Sequence, residues 1–343
     1  MLTLIAIIIT FSIVVFVHEL GHFITALKFG VNVESFSLGF GPEILGFNHK
    51  GVRYKLSAFP LGGYVKMKGE NLEEEQAMEE DSFMAQKPFK RIGILASGPI
   101  MNFITGMVIF SILFFITGYP RFQDKPIIGE VQKGSPAAEA GLKKGDKVLA
   151  VDSKQVATWT ELSSLISEES GAPVELKIKR DNKIMTITAT PKINEEIGRA
   201  LIGITAPFEY VKLGIFGSIW EGLKYTVLLC IKLIQALWLM IAGKMEAAIA
   251  GPVGIAKIVS SAAGQGFTDL FHLIALISVN LGFINLFPIP IFDGGHIMFA
   301  LWEKIKGSPL DAKKLSIANF IGLIIIISLL IFATWQDLVR FFF

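Results

Sequence analysis

The sequence predicts a multi-span α-helical membrane protein with about four transmembrane helices, a membrane-associated β-hairpin and one extracytoplasmic α+β domain. Three observations carry this. Of the 343 residues 52% are hydrophobic, 28 are Phe, and mean hydropathy is +0.56. Charged residues make up 18%, against about 25% in soluble domains. Four stretches, near 1–28, 92–118, 268–290 and 316–335, are long and apolar enough to cross a bilayer, which takes about 20 residues. Between the second and third lies a segment punctuated by Gly, Pro and Asp, as a folded domain of short strands is.

The first span, 1–28, carries no charge before His18. It lacks the basic start and small-residue cleavage site of a signal peptide, so it reads as uncleaved. Within it stands His18-Glu19-Leu20-Gly21-His22. Histidines four apart project from one helix face and can share a metal, while the Glu between them can take a proton from water held there. Ionisable groups at membrane depth are costly and mark function.

Residues 29–91 read as a membrane-associated β-hairpin followed by an acidic cytoplasmic loop. Ser37–Gly41 and Val52–Phe59 alternate as strands do, and Asn48-His49-Lys50-Gly51 offers the turn. Gly39, Gly41 and the run Leu61-Gly62-Gly63-Tyr64 permit bends or close backbone approach. Glu70, Glu73, Glu74, Glu75, Glu79, Glu80 and Asp81 predict a solvated, mobile loop. The second transmembrane helix, 92–118, opens with Ser97-Gly98-Pro99 and Asn102.

Residues 119–195 form the extracytoplasmic domain. Ile127–Val131, Gly134–Leu142 and Gly145–Val151 alternate strands with turns. Residues 158–170 predict a helix capped by Thr158 or Thr160, and Val174–Ile178 with Ile184–Thr190 close a hairpin around Arg180-Asp181-Asn182. Their order resembles a circularly permuted bacterial PDZ domain, which can accept an extended peptide or C-terminus by strand addition. Residues 196–267 read as a linker and amphipathic interfacial helices. The stretch 213–243 is apolar but carries Glu221, Lys224 and Lys232 near one stripe. Gly251-Pro252-Val253-Gly254 suggests packing rather than chemistry.

Residues 268–306 hold the third span and the run Asn280-Leu-Gly-Phe-Ile-Asn285-Leu-Phe-Pro288-Ile-Pro290-Ile-Phe-Asp293-Gly-Gly-His296. Pro288 and Pro290 cannot continue a regular helix. Non-helical backbone at this depth is tolerated where it is buried in protein or lines a wet cavity. Asp293 beside two Gly suits a residue projecting from a tight turn as third ligand to the His pair, or a helix N-cap. His296 and Glu303 are weaker alternatives for that ligand. His49 and His272 read as incidental. The fourth span and C-terminus fill 307–343.

Charge orients the spans. Lys304, Lys306, Lys313 and Lys314 join the last two, and Lys87, Lys90 and Arg91 abut the second, while Arg340 alone follows the last. The positive-inside rule places both termini and 119–212 outside, with 29–91 and 304–315 in the cytoplasm. His18 and His22 then lie roughly 26–32 Å along the first span, near its cytoplasmic end. Asp293 reaches the same level only if 213–243 does not cross.

Together, His18–His22, Asn285-Leu286-Phe287-Pro288-Ile289-Pro290 followed by Asp293-Gly294, Ser97-Gly98-Pro99 with Asn102, and the intervening PDZ-like segment resemble bacterial site-2 proteases of the regulator-of-sigma-E type, across essentially the whole chain. The resemblance implies a zinc intramembrane protease of the bacterial inner membrane, with Zn2+ on His18, His22 and Asp293 and Glu19 as general base. It implies that Asn280 and Asn285 hold substrate near the metal. It also implies that the hairpin, with Gly39 and Gly41, presents an edge to substrate beside the Pro288–Pro290 turn. Substrates would be single-span membrane proteins already shortened outside, such as anti-sigma factors or signal-peptide remnants. Two departures stand out: Phe292 replaces a common Leu, and one PDZ-like domain is evident where some relatives carry two.

Other classes fare worse. A net charge of +2 offers nothing to nucleic acid, and the lone Cys230 precludes an internal disulfide. A PDZ-bearing scaffold with a structural metal would not need Glu19, and a metal transporter would carry polar residues across several spans.

Overall fold

The computed structural model describes residues 2–70, 76–168, 171–194, 199–244 and 250–342. In chain order the elements are α1 (Leu2–Lys28), β1 (Val33–His49), β2 (Val52–Met67), α2 (Pro88–Thr117), β3 (Tyr119–Phe122), β4 (Glu130–Val131) and α3 (Pro136–Glu139). Then come β5 (Lys147–Val151), β6 (Lys154–Gln155), α4 (Trp159–Glu168), β7 (Val174–Arg180), β8 (Lys183–Ala189), β9 (Lys192–Asn194) and β10 (Arg199–Leu201). The chain ends through β11 (Ile204–Thr205), β12 (Phe208–Val211), α5 (Ile215–Ile241), α6 (Pro252–Gln265), α7 (Phe267–Asn285), α8 (Asp293–Lys306) and α9 (Ala312–Phe342). Two units divide these elements, one drawn from 1–113, 219–237 and 249–343, the other from 114–218 and 238–248.

The first unit is a helical bundle with a curled sheet. Helix α2 runs antiparallel to both α1 and α7, since Gly21 abuts Ser97, His22 meets Ile94, and Gly282 lies against Pro99. Small residues at these contacts let the backbones approach, as helix pairs in lipid require. Ser278 of α7 donates to the Asn102 carbonyl at 2.9 Å. Helix α6 packs on α1, α7 and α9. Its Gly251-Pro252-Val253-Gly254 start now has a reason. Gly254 donates its N–H to the buried Asp337 carboxylate of α9 at 2.7 Å, and side chains at Gly251 or Gly254 would strike Asp337.

Among the described residues, five helices are long and apolar enough to cross a membrane: α1, α2, α5, α7 and α9. The fifth, α5, is continuous and carries the Lys224–Glu221 ion pair at 2.9 Å. Its first half lies along α2, with Gly222 against Ser111 and the Tyr225 ring 4.7 Å from Phe110.

The hairpin is longer than the sequence pattern indicates and is folded over. Lys50 (φ 50°) and Gly51 (φ 84°) make the expected turn. Ser37 of β1 pairs with both Lys55 and Tyr64 of β2, and Leu38 with both Leu56 and Gly63. The four segments therefore lie in the order 43–49, 52–59, 33–40 and 62–67. Gly39 and Gly41, both at positive φ, make the bend in β1. The distal hairpin leaves Ile44, Leu45, Phe47 and Phe59 exposed.

The acidic segment differs from the expected mobile loop. Glu73, Glu74 and Glu75 lie outside the described residues, but 76–86 fold back as turns with Ala77, Ser82 and Phe83 buried. Asn32 and Lys68 exchange backbone hydrogen bonds with Asp81 and Phe83 there, and Lys68 Nζ sits 2.7 Å from Asp81 and 2.6 Å from Glu79. Clustered acids predict solvation, whereas here Lys68 gathers Glu79 and Asp81.

The second unit is PDZ-like, with an antiparallel sheet in the order β6-β5-β7-β8. Alternate residues of β7, Val174, Leu176 and Ile178, enter a core shared with Ile128, Val148, Leu162 and Ile166. Asp181 (φ 47°) and Asn182 (φ 64°) form the predicted tight turn. Thr158 and Glu161 cap α4 reciprocally, each accepting the other's backbone N–H. The domain extends beyond residue 195, correcting the expected linker. Ile202 lies in the core, β11 pairs with β4, and β12 pairs with β3. Strands of two to four residues are too short for alternation to reveal.

Candidate metal centre

Helix α1 places His18 and His22 one turn apart on the face that meets α2 and α7, both buried. The His22 Nδ1–H donates to the Ile94 carbonyl at 2.8 Å, which leaves Nε2 with its lone pair toward the interior. His18 Nδ1 lies 3.2 Å from the Asn102 side-chain amide. Each ring is thus held from behind, with both Nε2 atoms facing one point 3.2 Å apart.

The third donor arrives from the far end of the chain. Helix α7 stops at Asn285, the Pro288–Pro290 segment turns, and α8 begins at Asp293. Ile291 takes a positive φ of 87°, a strained conformation for a β-branched residue, two positions before Asp293. Gly294 and Gly295 press against the carbonyls of Leu286 and Ile289, where no side chain fits. The Asp293 carboxylate does not cap its helix. It reaches across to His18 Nε2 at 3.2 Å and His22 Nε2 at 3.5 Å. His296 packs on Phe299, and Glu303 pairs with Arg91, so neither joins the cluster.

These donors fit zinc. Ligand atoms about 2.0–2.1 Å from a tetrahedral ion stand about 3.3 Å from one another; here the two Nε2 atoms are 3.2 Å apart, Asp293 Oδ2 lies 3.2 Å from His18 Nε2, and its Oδ1 lies 3.5 Å from His22 Nε2. Asp293 Oδ2 is buried with no hydrogen-bond donor among the described residues, as suits an oxygen kept for a cation. Two imidazoles and one carboxylate leave a fourth position open. Gly98 shapes that space, because a Cβ there would fall onto His22 Nε2 and come 2.8 Å from His18 Cε1.

Glu19 projects from the next position on α1, and its Oε2 accepts the Val65 backbone N–H at 3.0 Å. A Cβ on Gly63 would lie 3.7 Å from Glu19 Cγ. The strand that meets the site is therefore Gly63–Met67. Gly39 and Gly41, the candidates from sequence, instead have Phe59 as their close neighbour. Asn285 does come to the centre, with Nδ2 3.3 Å from His18 Nε2. Asn280 stands exposed on α7, and Pro288 and Pro290 shape the turn. Val65, Gly63 and the Ile94 carbonyl join the site without a sequence motif that points to them. The Gly62-Gly63 pair was their one visible signal.

A family model described as peptidase family M50 matches residues 6–329. The chain is 34% identical to a protein of Mesorhizobium japonicum named as a candidate zinc metalloprotease, over 98% of each chain. It is 28% identical to the regulator of sigma-W protease RasP of Bacillus subtilis over 99% of each. The PDZ domain of an SdrC-like protein from Listeria monocytogenes matches 25% of this chain and 90% of its own, at 24% identity and a TM-score of 0.22.

Proposed function

The chain belongs to peptidase family M50 and is a membrane zinc metalloprotease of the site-2 type, and from that premise we propose that it hydrolyses a peptide bond within the transmembrane segment of single-span membrane proteins already shortened outside the membrane. The convergence of His18, His22 and Asp293 beside Glu19 at the meeting of α1, α2 and α8 carries this reading.

His18 Nε2, His22 Nε2 and Asp293 would hold the ion. Bound there, zinc polarises a carbonyl and makes water acidic near neutral pH. Glu19 takes the proton from the attacking water and passes it to the leaving amine. The Val65 N–H holds that carboxylate in place. Asn285 donates to the carbonyl oxygen as negative charge develops on it.

A transmembrane helix encloses its own peptide bonds, so cleavage needs local unwinding, and freed backbone groups in lipid each cost several kcal/mol unless paired. We assign that pairing to the Gly63–Met67 edge, whose Val65 N–H already points into the site. The exposed Ile44, Leu45, Phe47 and Phe59 suit a hairpin dipped into lipid, and the exposed Asn280 offers its amide to an arriving helix. Gly39 and Gly41 contribute by folding the strand over.

The bundle supports both termini and the PDZ-like domain outside the inner membrane, with the centre toward the cytoplasm. The α1 start, α6 and the α9 end share one level through Thr3–Ser260 and Gly254–Asp337, opposite the end bearing the His pair. Helix α6, at 14 residues, is too short to bring the chain back across a bilayer after a crossing by α5. The domain then excludes bulky ectodomains or takes a peptide or C-terminus in its groove beside α4.

The test compares wild type with Glu19→Gln for zinc content and for cleavage of single-span reporters with and without a folded ectodomain. About one zinc in both, with cleavage of the short reporter by wild type alone, is expected. Equal cleavage by both removes Glu19 from the mechanism, and zinc in both with no cleavage of any reporter favours a scaffold.

A further inference from the structure

We infer that Arg91 and Glu303 form a positioning pair for the metal centre, fixing α8 along α2 so that Asp293 meets His18 and His22. The inference rests on the zinc site proposed above and concerns residues that touch neither metal nor substrate.

Arg91 lies in the first turn of α2 and Glu303 in the last turn of α8, and their side chains form an ion pair with 5% and 17% of each exposed. Among the described residues it is the one ion pair between these helices. Both helices also reach the zinc site through other residues. Ile94, one turn beyond Arg91, accepts the His22 Nδ1–H; Gly98 walls the metal space; Asn102 backs His18. Asp293 opens α8, ten residues and about 15 Å before Glu303. The pair thus joins the helix that orients two donors to the helix that supplies the third.

A buried ion pair is a poor source of stability, because apolar side chains of similar volume often serve as well or better. Its best-attested use is fixing register. Helix α8 also packs through Ile297 onto the apolar cluster around Phe23 and Leu95. Apolar contacts of that kind tolerate a slide along the helix axis, whereas a charge-assisted hydrogen bond from Arg91 Nη2 to the Glu303 carboxylate, with Nη1 3.4 Å from Met84 Sδ, resists one. A slide of about 1 Å would spoil separations that now stand near 3.3 Å, and displacements of that size can cost about 100-fold in rate.

The surroundings agree. Arg91, Glu303, His296, Glu70 and Asn319 line a cavity of about 260 Å³ that also touches Asp293. Among the described residues, the buried Arg91 Nε and Asn319 Oδ1 there have no partner. A cavity of that size holds water. Water there meets the buried polar atoms of the cavity wall, while the ion pair joins the two helices directly.

The experiment uses the full chain in detergent and reads zinc affinity by chelator competition, the visible spectrum of the cobalt-substituted protein, and melting temperature. Glu303→Gln and Arg91→Gln are expected to weaken zinc about 10–100-fold, as loss of supporting contacts around metal ligands does. Both should alter the cobalt bands. Arg91→Lys, which keeps the charge but not the second contact to Met84 Sδ, falls between them and wild type. The apolar double variant Arg91→Met with Glu303→Leu melts at or above wild type yet binds zinc as weakly as the single variants. A role in stability alone cannot give that result. Wild-type zinc affinity and cobalt spectrum in the apolar variant, or in Arg91→Lys should the others fail to fold, overturn the inference. His18→Ala separates the two levels. If it keeps wild-type zinc affinity, the site reading itself fails; if it loses zinc while the pair variants do not, this inference alone fails.

Discussion

The backbone N–H of Val65 donates to the Glu19 carboxylate at 3.0 Å, so a strand from the hairpin fixes the proposed base of a helix 46 residues away. A base must lie within about 3 Å of the proton it takes. Glu19→Asp shortens the side chain by one methylene and cannot serve both Val65 and the water. The expected outcome is a fall of about 100-fold in kcat with zinc content unchanged. Parallel zinc analysis and reporter kinetics check it, and kcat within threefold of wild type would remove Val65 from the mechanism.

Gly98→Ala tests the wall of the metal space. The new methyl would clash with His22 Nε2 and come 2.8 Å from His18 Cε1. One ring must turn away, and zinc affinity should drop by 10-fold or more, on the order reported for disturbed metal surroundings. The change is confined to one methyl at a helix contact, so the fold should persist. Equilibrium dialysis and circular dichroism of the same sample decide the matter. Full zinc occupancy in a folded Gly98→Ala protein would show that the space differs from the one described.

Asn102 backs His18 from α2, and its side chain is fully buried. Asn102→Ala removes the contact that orients the ring and is expected to weaken zinc about 10–100-fold. Asn102→Asp places a carboxylate acceptor where the Asn102 Nδ2 now faces His18 Nδ1 and should recover most of the affinity. Chelator competition on the two variants checks the order, which reverses if Asn102 merely fills space.

How much of this was legible from residues alone follows from the range over which each signal acts. His18, Glu19 and His22 are neighbours on one helix, so spacing announces them. Asp293 declares itself through Pro288, Pro290 and two Gly, because a broken helix at membrane depth needs a purpose. Val65, Gly63 and the Ile94 carbonyl could not be read, since two are backbone groups and their partners lie 46 and 72 residues away. The curl of β1 over β2 escaped for a related reason. Alternation reports which face a strand buries, not which residues it pairs with twice. Gly39 and Gly41 were right as bends, while the strand presented to Glu19 lay one crossing further on.

In the PDZ-like unit, Asp146 is 1% exposed and accepts from Arg180 Nε and Nη2, both at 2.7 Å, and from the Lys143 N–H. Burial pushes its carboxyl up, but the Arg180 guanidinium and the Lys143 N–H outweigh that and hold it below its ordinary 3.8. A depressed carboxylate stabilises the fold above its unfolded value and loses that contribution as pH falls through the folded one. The tie is therefore complete at pH 7 and weakens only below 3.8. Asp146→Asn should cost about 2 kcal/mol at pH 7 and nearly nothing in strong acid. Hydrogen exchange of the β5 and β7 amides in the full chain reads it, and equal loss of protection at both pH values would contradict it.

Ile291 offers the last test, because its strain and its place before Asp293 point in opposite directions. A β-branched residue at φ 87° costs about 1–3 kcal/mol, and the side chain is 41% exposed, so little burial offsets that. Ile291→Gly relieves the strain but gives about 0.5–1 kcal/mol back through the added freedom of the unfolded chain. The metal-free protein should gain about 1 kcal/mol. The same freedom loosens the turn that aims Asp293, so zinc affinity should fall several-fold. Melting of the variant with and without chelator separates the effects: the apo protein melts higher than wild type, and added zinc raises it less. A variant that gains as much from zinc as wild type would mean that Pro288, Pro290 and the pressed Gly294–Gly295 backbone aim Asp293 without help from Ile291.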